Sequence, residues 1–158
     1  MFNESRCKAR RVTWKHNPVS NTYHINEVPL GVTSAEKDLG VIISDKLLWN
    51  KEVCYQCAKS NRMLGFVRRN PRSIKNAEVR RVIYLTLVRS HFGYATQVWT
   101  PQSKELIRKI ERIQHRATKY ILNLPILCEE SYKDRVIKLA LLPVSFWHEI
   151  YLDMVFFL

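Results

Sequence analysis

The chain has 158 residues, 46% of them hydrophobic, which suits one ordinary domain or a small β piece joined to a helical one and excludes a disordered tail. Lysine and arginine number 26 against 14 acids, a formal net charge of +12, so a polyanionic partner is expected, either nucleic acid or an anionic membrane surface. No uninterrupted apolar stretch is long enough to span a bilayer, and Met1-Phe2-Asn3-Glu4-Ser5-Arg6 lacks a secretory layout, so a protein of the cell interior, cytoplasm or nucleus, is expected.

Ala9 to His16 is strand-like, Asn17-Pro18-Val19-Ser20-Asn21 is a turn cluster, and Thr22 to Leu30 returns with partial alternation, which predicts a hairpin. Leu39-Gly40-Val41-Ile42-Ile43-Ser44, closed by Asp45-Lys46, reads as a further, better buried strand. From Leu48 the period changes. Val53, Cys57, Ser60, Leu64 and Val67 share one helix face, and Asn70-Pro71 ends that helix. Ser73 is the expected cap of a second helix, with Val79, Ile83, Thr86 or Leu87, and Ser90 on its inner side and Gly93 as its break.

Pro101 and Ser103 open a third helix whose seam is Leu106, Ile110, Ile113, Ala117 and Tyr120 or Ile121, closing before Pro125. Ser131 and Asp134 have capping-box spacing ahead of Val136, Leu139 and Ala140, and beyond Leu142-Pro143 a last helix is expected to be capped by Ser145. The closing Met154-Val155-Phe156-Phe157-Leu158 is too apolar to face water and predicts a chain that continues. The pattern predicts an α+β fold, mainly α, with a small antiparallel β segment over residues 1–47 and a helical bundle over 48–158.

Lys104, Arg108, Arg112, His115, Arg116 and Lys119 recur every three or four residues and form a stripe roughly opposite the apolar seam of the third helix. Only Glu105 and Glu111 stand near to balance it, which favours contact with a phosphate backbone over a merely solvated face. Arg62, Arg68, Arg69 and Arg72, with Lys75, form a second basic cluster. There, charges that stabilise a helix C-terminus are an equally good reading.

Two-metal phosphoryl transfer needs converging carboxylates, and Asp38, Asp45, Asp134 and Asp153 are scattered singly. The five histidines have no partner nucleophile, and no glycine-rich phosphate loop is present. No catalytic residue is assigned, and the chain alone is expected to catalyse nothing. Cys7, Cys54, Cys57 and Cys128 are expected as free thiols, because nothing marks secretion and the chain is too large to need disulfides; the Cys54-x-x-Cys57 pair lies in a helix and lacks a second pair at zinc-finger spacing, so no metal site is assigned. Trp99, between two helices, is expected to be a packing residue rather than a platform for bases.

Asp38-Leu39-Gly40-Val41 followed by Leu48-Trp49 resembles the signature that follows the palm in jockey-like LINE (non-LTR retrotransposon) reverse transcriptases. Ser60-Asn61-Arg62-x-Leu64-Gly65-Phe66-x-Arg68-Arg69, Tyr84-x-x-Leu87-Val88-Arg89-Ser90 and Tyr94-Ala95-x-x-Val98-Trp99-x-Pro101 resemble consecutive blocks in that family's order. Ile110-Glu111-Arg112-Ile113-Gln114-His115-Arg116-Ala117-Thr118 and Tyr132-x-x-Arg135-Val136-x-x-Leu139 resemble two later ones.

The resemblance implies the end of a polymerase palm followed by a thumb that holds an RNA template and its DNA primer, with the rest of the polymerase chain as partner. It makes Leu39, Gly40 and Val41 part of a hairpin, Glu36 to Ser44, that grips the primer end. It also implies that the intact enzyme uses magnesium, bound by aspartates absent here. Asn3-Glu4-Ser5-Arg6-Cys7 resembles the motif after the catalytic turn, with Arg6 where lysine is usual; Glu52 replaces a common histidine, and Gly93 a common acid. Two other readings stay open: a stand-alone basic helical module that binds RNA or DNA, and a protein-interaction domain whose partner covers Phe156-Phe157-Leu158.

Overall fold

A computed structural model describes residues 7–69, 74–125 and 127–156. The fold is α+β and mainly α, with short two-stranded sheets ahead of the helices. Two compact units part after Glu52, within the first turn of the first helix.

In the first unit, β1 (Lys8–Ala9) pairs in parallel with β4 (Gly31–Val32), and β2 (His24–Ile25) pairs antiparallel with β3 (Val28–Pro29). The hairpin therefore turns at Asn26 and Glu27, not at residues 17–21 as expected. Both turn residues have positive φ, 48° and 67°, the backbone that matches the right-handed twist of flanking strands. The long strand expected from Ala9 to His16 shrinks to β1. Val12 and Trp14 alternate in sequence, but both are exposed, so the alternation meets no apolar layer. The segment instead bonds individually: the Arg10 guanidinium donates to the Ile43 carbonyl at 2.8 Å and the Thr13 amide to that of Asp45 at 3.1 Å.

β5 (Ala35–Asp38) and β6 (Val41–Ser44) form an antiparallel hairpin in which Asp38 faces Val41 and Ala35 faces Ser44. Leu39 and Gly40 make its turn, with φ of 44° and 90°, so they leave the strand in which the sequence pattern put them. Gly40 takes that backbone freely, whereas Leu39 carries a cost of about 1 kcal/mol. Leu39 is 87% exposed while Val41 and Ser44 are buried. The Ile42 amide donates to the Glu52 carboxylate at 2.7 Å.

In the second unit α1 (Asn50–Arg69) turns Val53, Gln56, Ser60, Leu64 and Val67 inward. α2 (Ala77–Ile83) runs through a π-helical stretch, Tyr84–Arg89, into α3 (Ser90–Gly93). Asn76 caps α2 by accepting the Glu78 amide at 2.8 Å; Ser73, the expected cap, lies outside the described residues. The buried face is Arg80, Tyr84, Val88 and Phe92, while Val79, Leu87 and Ser90 are exposed, so the inner side is one residue round from the expected one. Residues four apart drift round an α-helix, and the wider π turn takes up that drift.

α4 (Thr96–Trp99) ends on a fully buried Trp99, whose indole N–H donates to the Tyr94 carbonyl at 2.7 Å, a core anchor as expected. α5 (Lys104–Ile121) buries Leu106, Ile110, Ile113, Ala117 and, of the two alternatives at its end, Ile121. It stops where Asn123 turns left-handed (φ 55°) and the Leu124 amide reaches the Lys119 carbonyl at 2.9 Å. α6 (Tyr132–Lys138) starts on Ser131, which accepts the Asp134 amide at 3.2 Å. Ala140 is exposed at φ 46°, a left-handed stop rather than part of the inner face. α7 (Val144–Phe156) begins one residue before Ser145, so that serine sits inside the first turn and caps nothing. Phe157 and Leu158, at the end expected to be covered, and Asn3 to Arg6 lie outside the described residues.

Gly93 has a steric reason. A Cβ there would stand 2.6 Å from Cη2 of Trp147, whose indole in turn lies under the Arg89 guanidinium at 5.1 Å. Gly93→Asp is expected to cost roughly 2 kcal/mol, read as a lower urea midpoint. In a Trp147→Leu background the same change should cost clearly less, and strict additivity of the two would show that the ring is not what excludes a side chain.

Candidate nucleic-acid interface

The apolar seam of α5 fixes the helix's rotation, and its opposite side follows. Lys104, Arg108, Arg112 and Arg116 are exposed and Lys119 is half-buried, so the basic stripe faces outward along the length of the helix. The two acids nearest to it on the helix are engaged elsewhere. Glu105 pairs with Lys109 at 3.0 Å, one turn on, and that bond holds the Lys109 ammonium above its usual pKa. Glu111 turns inward, where it accepts the Tyr132 hydroxyl and, at 2.9 Å, the Val144 amide.

At its C-terminal end the stripe becomes a cleft. Arg68 of α1 joins His115, Arg116, Lys119, Tyr120 and Asn123 round a space of about 310 Å³. Arg116 is oriented from two sides, donating to the Asn61 side chain on α1 and, at 3.4 Å, to the Arg112 carbonyl. His115 stacks on Tyr132 with ring centroids 4.8 Å apart and lies 3.3 Å from the Arg135 guanidinium. Partial burial, then Arg135 and Lys119, hold its pKa below the ordinary histidine value. It therefore enters the cleft as a neutral ring at neutral pH, and a bound anion would favour its protonation.

The second basic cluster does not act as one patch. Arg68 faces the cleft with α5, whereas Arg62 and Arg69 line a different groove on α1; Arg72 lies outside the described residues. Other arginines face inward and were not separable from surface charge by sequence. Arg80 donates to the Tyr120 carbonyl at 3.1 Å, Arg81 to that of Leu139 at 2.6 Å and Arg89 to that of Leu142 at 3.1 Å. Arg135, fully buried, donates to Thr118 Oγ1 at 3.1 Å and to the Glu130 carbonyl. These acceptors are neutral, so the four cations still add to the positive field of the unit, with only Arg89 offset in part by the Glu111 carboxylate.

Sequence reasoning also missed a polar network inside the bundle. The Tyr84 hydroxyl donates to Gln114 Oε1 at 2.8 Å; Gln114 Nε2 donates to the Leu142 carbonyl at 2.9 Å and the Tyr132 hydroxyl at 3.0 Å; and that hydroxyl donates to Glu111. Burial pushes both phenols well above the usual tyrosine pKa, reinforced at Tyr132 by the bond to Glu111. The signal was Gln114 beside Ile113 on the inner face of α5, a position where a merely solvated residue has no place.

Leu39, Gly40 and Val41 sit at the tip of the β5–β6 hairpin, in the other unit from the stripe. Cys54 and Cys57 are free, and the Cys57 thiol is pushed up to about 11 by burial and then by Cys54, so it stays protonated at neutral pH. Among the described residues no group of three or more histidines, cysteines or acids is placed to hold a metal ion, and Asp134 is engaged with Ser131 at 2.7 Å. No described helix is long and apolar enough to cross a membrane. Compared with protein-family models, with curated proteins and with solved structures, the chain gives no match in any of the three.

Proposed function

We propose that this chain binds and positions an RNA template with its growing DNA primer, as the end of the palm and the thumb of a LINE-type reverse transcriptase. The observation that carries the binding half of this reading is the exposed stripe Lys104, Arg108, Arg112, Arg116 and Lys119, which continues into the Arg68 cleft while Glu105 and Glu111 are engaged elsewhere. A row of cations at helical spacing, whose two neighbouring carboxylates are engaged by Lys109 and by Tyr132 and Val144, suits successive phosphates of one strand.

The polymerase half is supported by the ordered blocks of resemblance and by the hairpin at Leu39-Gly40-Val41, whose turn holds an apolar tip in water. Such a tip suits the sugar face of a primer end. Among the described residues no three histidines, cysteines or acids stand together, and on this reading the magnesium ion is held by residues of the polymerase outside this chain, whose remainder is the other expected partner. The setting is the cell interior, cytoplasm or nucleus.

The test is the salt dependence of binding to a labelled RNA–DNA hybrid, followed by fluorescence anisotropy. If five side chains each meet a phosphate, the log–log slope should be about −4.5. A flat dependence would sink the reading. Equal affinity for hybrid, duplex DNA and single-stranded RNA would favour the stand-alone binding module over the polymerase part.

A further inference from the structure

Consecutive residues of an α-helix stand about 100° apart, so Phe66 and Arg68 point to opposite sides of α1. Arg68 faces the cleft with α5. On the other flank, Lys59, Arg62, Met63, Phe66 and Arg69 meet His91 of α3 round an open groove of about 490 Å³. Phe66 is 55% exposed, and three cations and no carboxylate line the groove with it. The Lys59 ammonium lies 5.6 Å from the centroid of the Tyr55 ring, which holds it on this side of the helix. Burial, then Lys59, keep the His91 pKa below its ordinary value, so at neutral pH it contributes a neutral ring.

We propose that this groove binds one unpaired nucleotide of a nucleic-acid strand, its base stacked on Phe66 and its phosphates met by Lys59, Arg62 and Arg69. A duplex hides the faces of its bases and offers an exposed phenyl ring nothing. A single strand presents both a flat π surface and a negative backbone, and aromatic rings among cations are what hold it without sequence preference. The proposal rests on the nucleic-acid reading of α5 for its partner class but not on any duplex or polymerase role. It gives the chain a second contact, for the strand where pairing ends.

The experiment compares the full chain's affinity for a short blunt RNA–DNA hybrid and for the same hybrid with a single-stranded RNA overhang carrying 2-aminopurine. The overhang should tighten binding roughly tenfold, with quenching of the 2-aminopurine as it stacks. Phe66→Ala should abolish that gain and the quenching while leaving blunt-hybrid affinity as it was; Phe66→Trp should keep both. Arg62→Gln with Arg69→Gln provides a second variant on exposed positions, expected to reduce the gain and its salt dependence.

Equal affinity for blunt and overhanging hybrids, or equal losses on both with Phe66→Ala, overturns the proposal. Competition by an acidic peptide for the Phe66-dependent gain would assign the groove to a protein partner, which also overturns it. Phe66-dependent binding of the single strand without blunt-hybrid binding leaves the groove standing and removes the duplex reading. Blunt-hybrid binding without any overhang gain does the reverse.

Discussion

Replacing Arg108, Arg112 and Arg116 with alanine is expected to weaken binding to an RNA–DNA hybrid on the order of a hundredfold and to flatten the log–log salt slope by about 3. All three side chains are exposed, away from the seam of Leu106, Ile110, Ile113 and Ala117, so helical circular dichroism should be unchanged. Arg116 differs from the others because Asn61 holds it. Asn61→Ala leaves every charge in place and releases that tether; it should lower affinity by a small factor with the slope intact. A triple variant that loses helix, or loses affinity without flattening the slope, would show these arginines to be structural rather than phosphate contacts.

α5 was legible because its seam is apolar at every turn and its stripe is basic at every turn, so the two faces declare themselves without knowledge of any neighbour. The α2–α3 region was not, because its inner face includes Arg80 and Tyr84, which are buried through hydrogen bonds to Ile74, Tyr120 and Gln114 that only the folded chain supplies. An apolar count places such residues outside and rotates the helix by one position. The N-terminal hairpin failed for a different reason. Asn17-Pro18 is a strong local breaker, but a hairpin needs paired strands on both sides of its turn, and Asn26-Glu27 has them.

The basic stripe could be read as a face, but not as a cleft. Arg68 and Arg116 meet only because α1 and α5 pack, and the Asn61–Arg116 contact spans 55 residues of sequence. Charge counting also overstated the surface, since Arg80, Arg89 and Arg135 are buried. In the opposite direction it understated the stripe, because Glu105 and Glu111 were treated as counter-charges and one is paired while the other points into the core.

Glu111 carries the largest expected effect on stability. α7 begins at Val144, whose amide is among the unsatisfied donors of a helix N-terminus, and the Glu111 carboxylate accepts it across 33 residues at 2.9 Å. A carboxylate there also sits at the positive end of the helix dipole. Its other oxygen accepts the Tyr132 hydroxyl, which anchors α6 and, through Gln114, the Tyr84 side chain. Glu111→Ala removes a charge-assisted cap and leaves two part-buried donors without their acceptor, a loss of roughly 3 kcal/mol. The midpoint of thermal unfolding should fall on the order of 10 °C. Hydrogen exchange should quicken first at Val144 and the turn that follows it, before the seam of α5. Tyr132→Phe should cost less, and combined with Glu111→Ala it should cost less than the sum, because the hydroxyl stranded by the first change is absent in the pair. Hybrid affinity measured well below the melting transition should stay close to that of the unchanged chain, since Glu111 faces the core and not the stripe. Additive costs in the pair would mean that Glu111 holds α7 alone and that the polar network does not join the two helices.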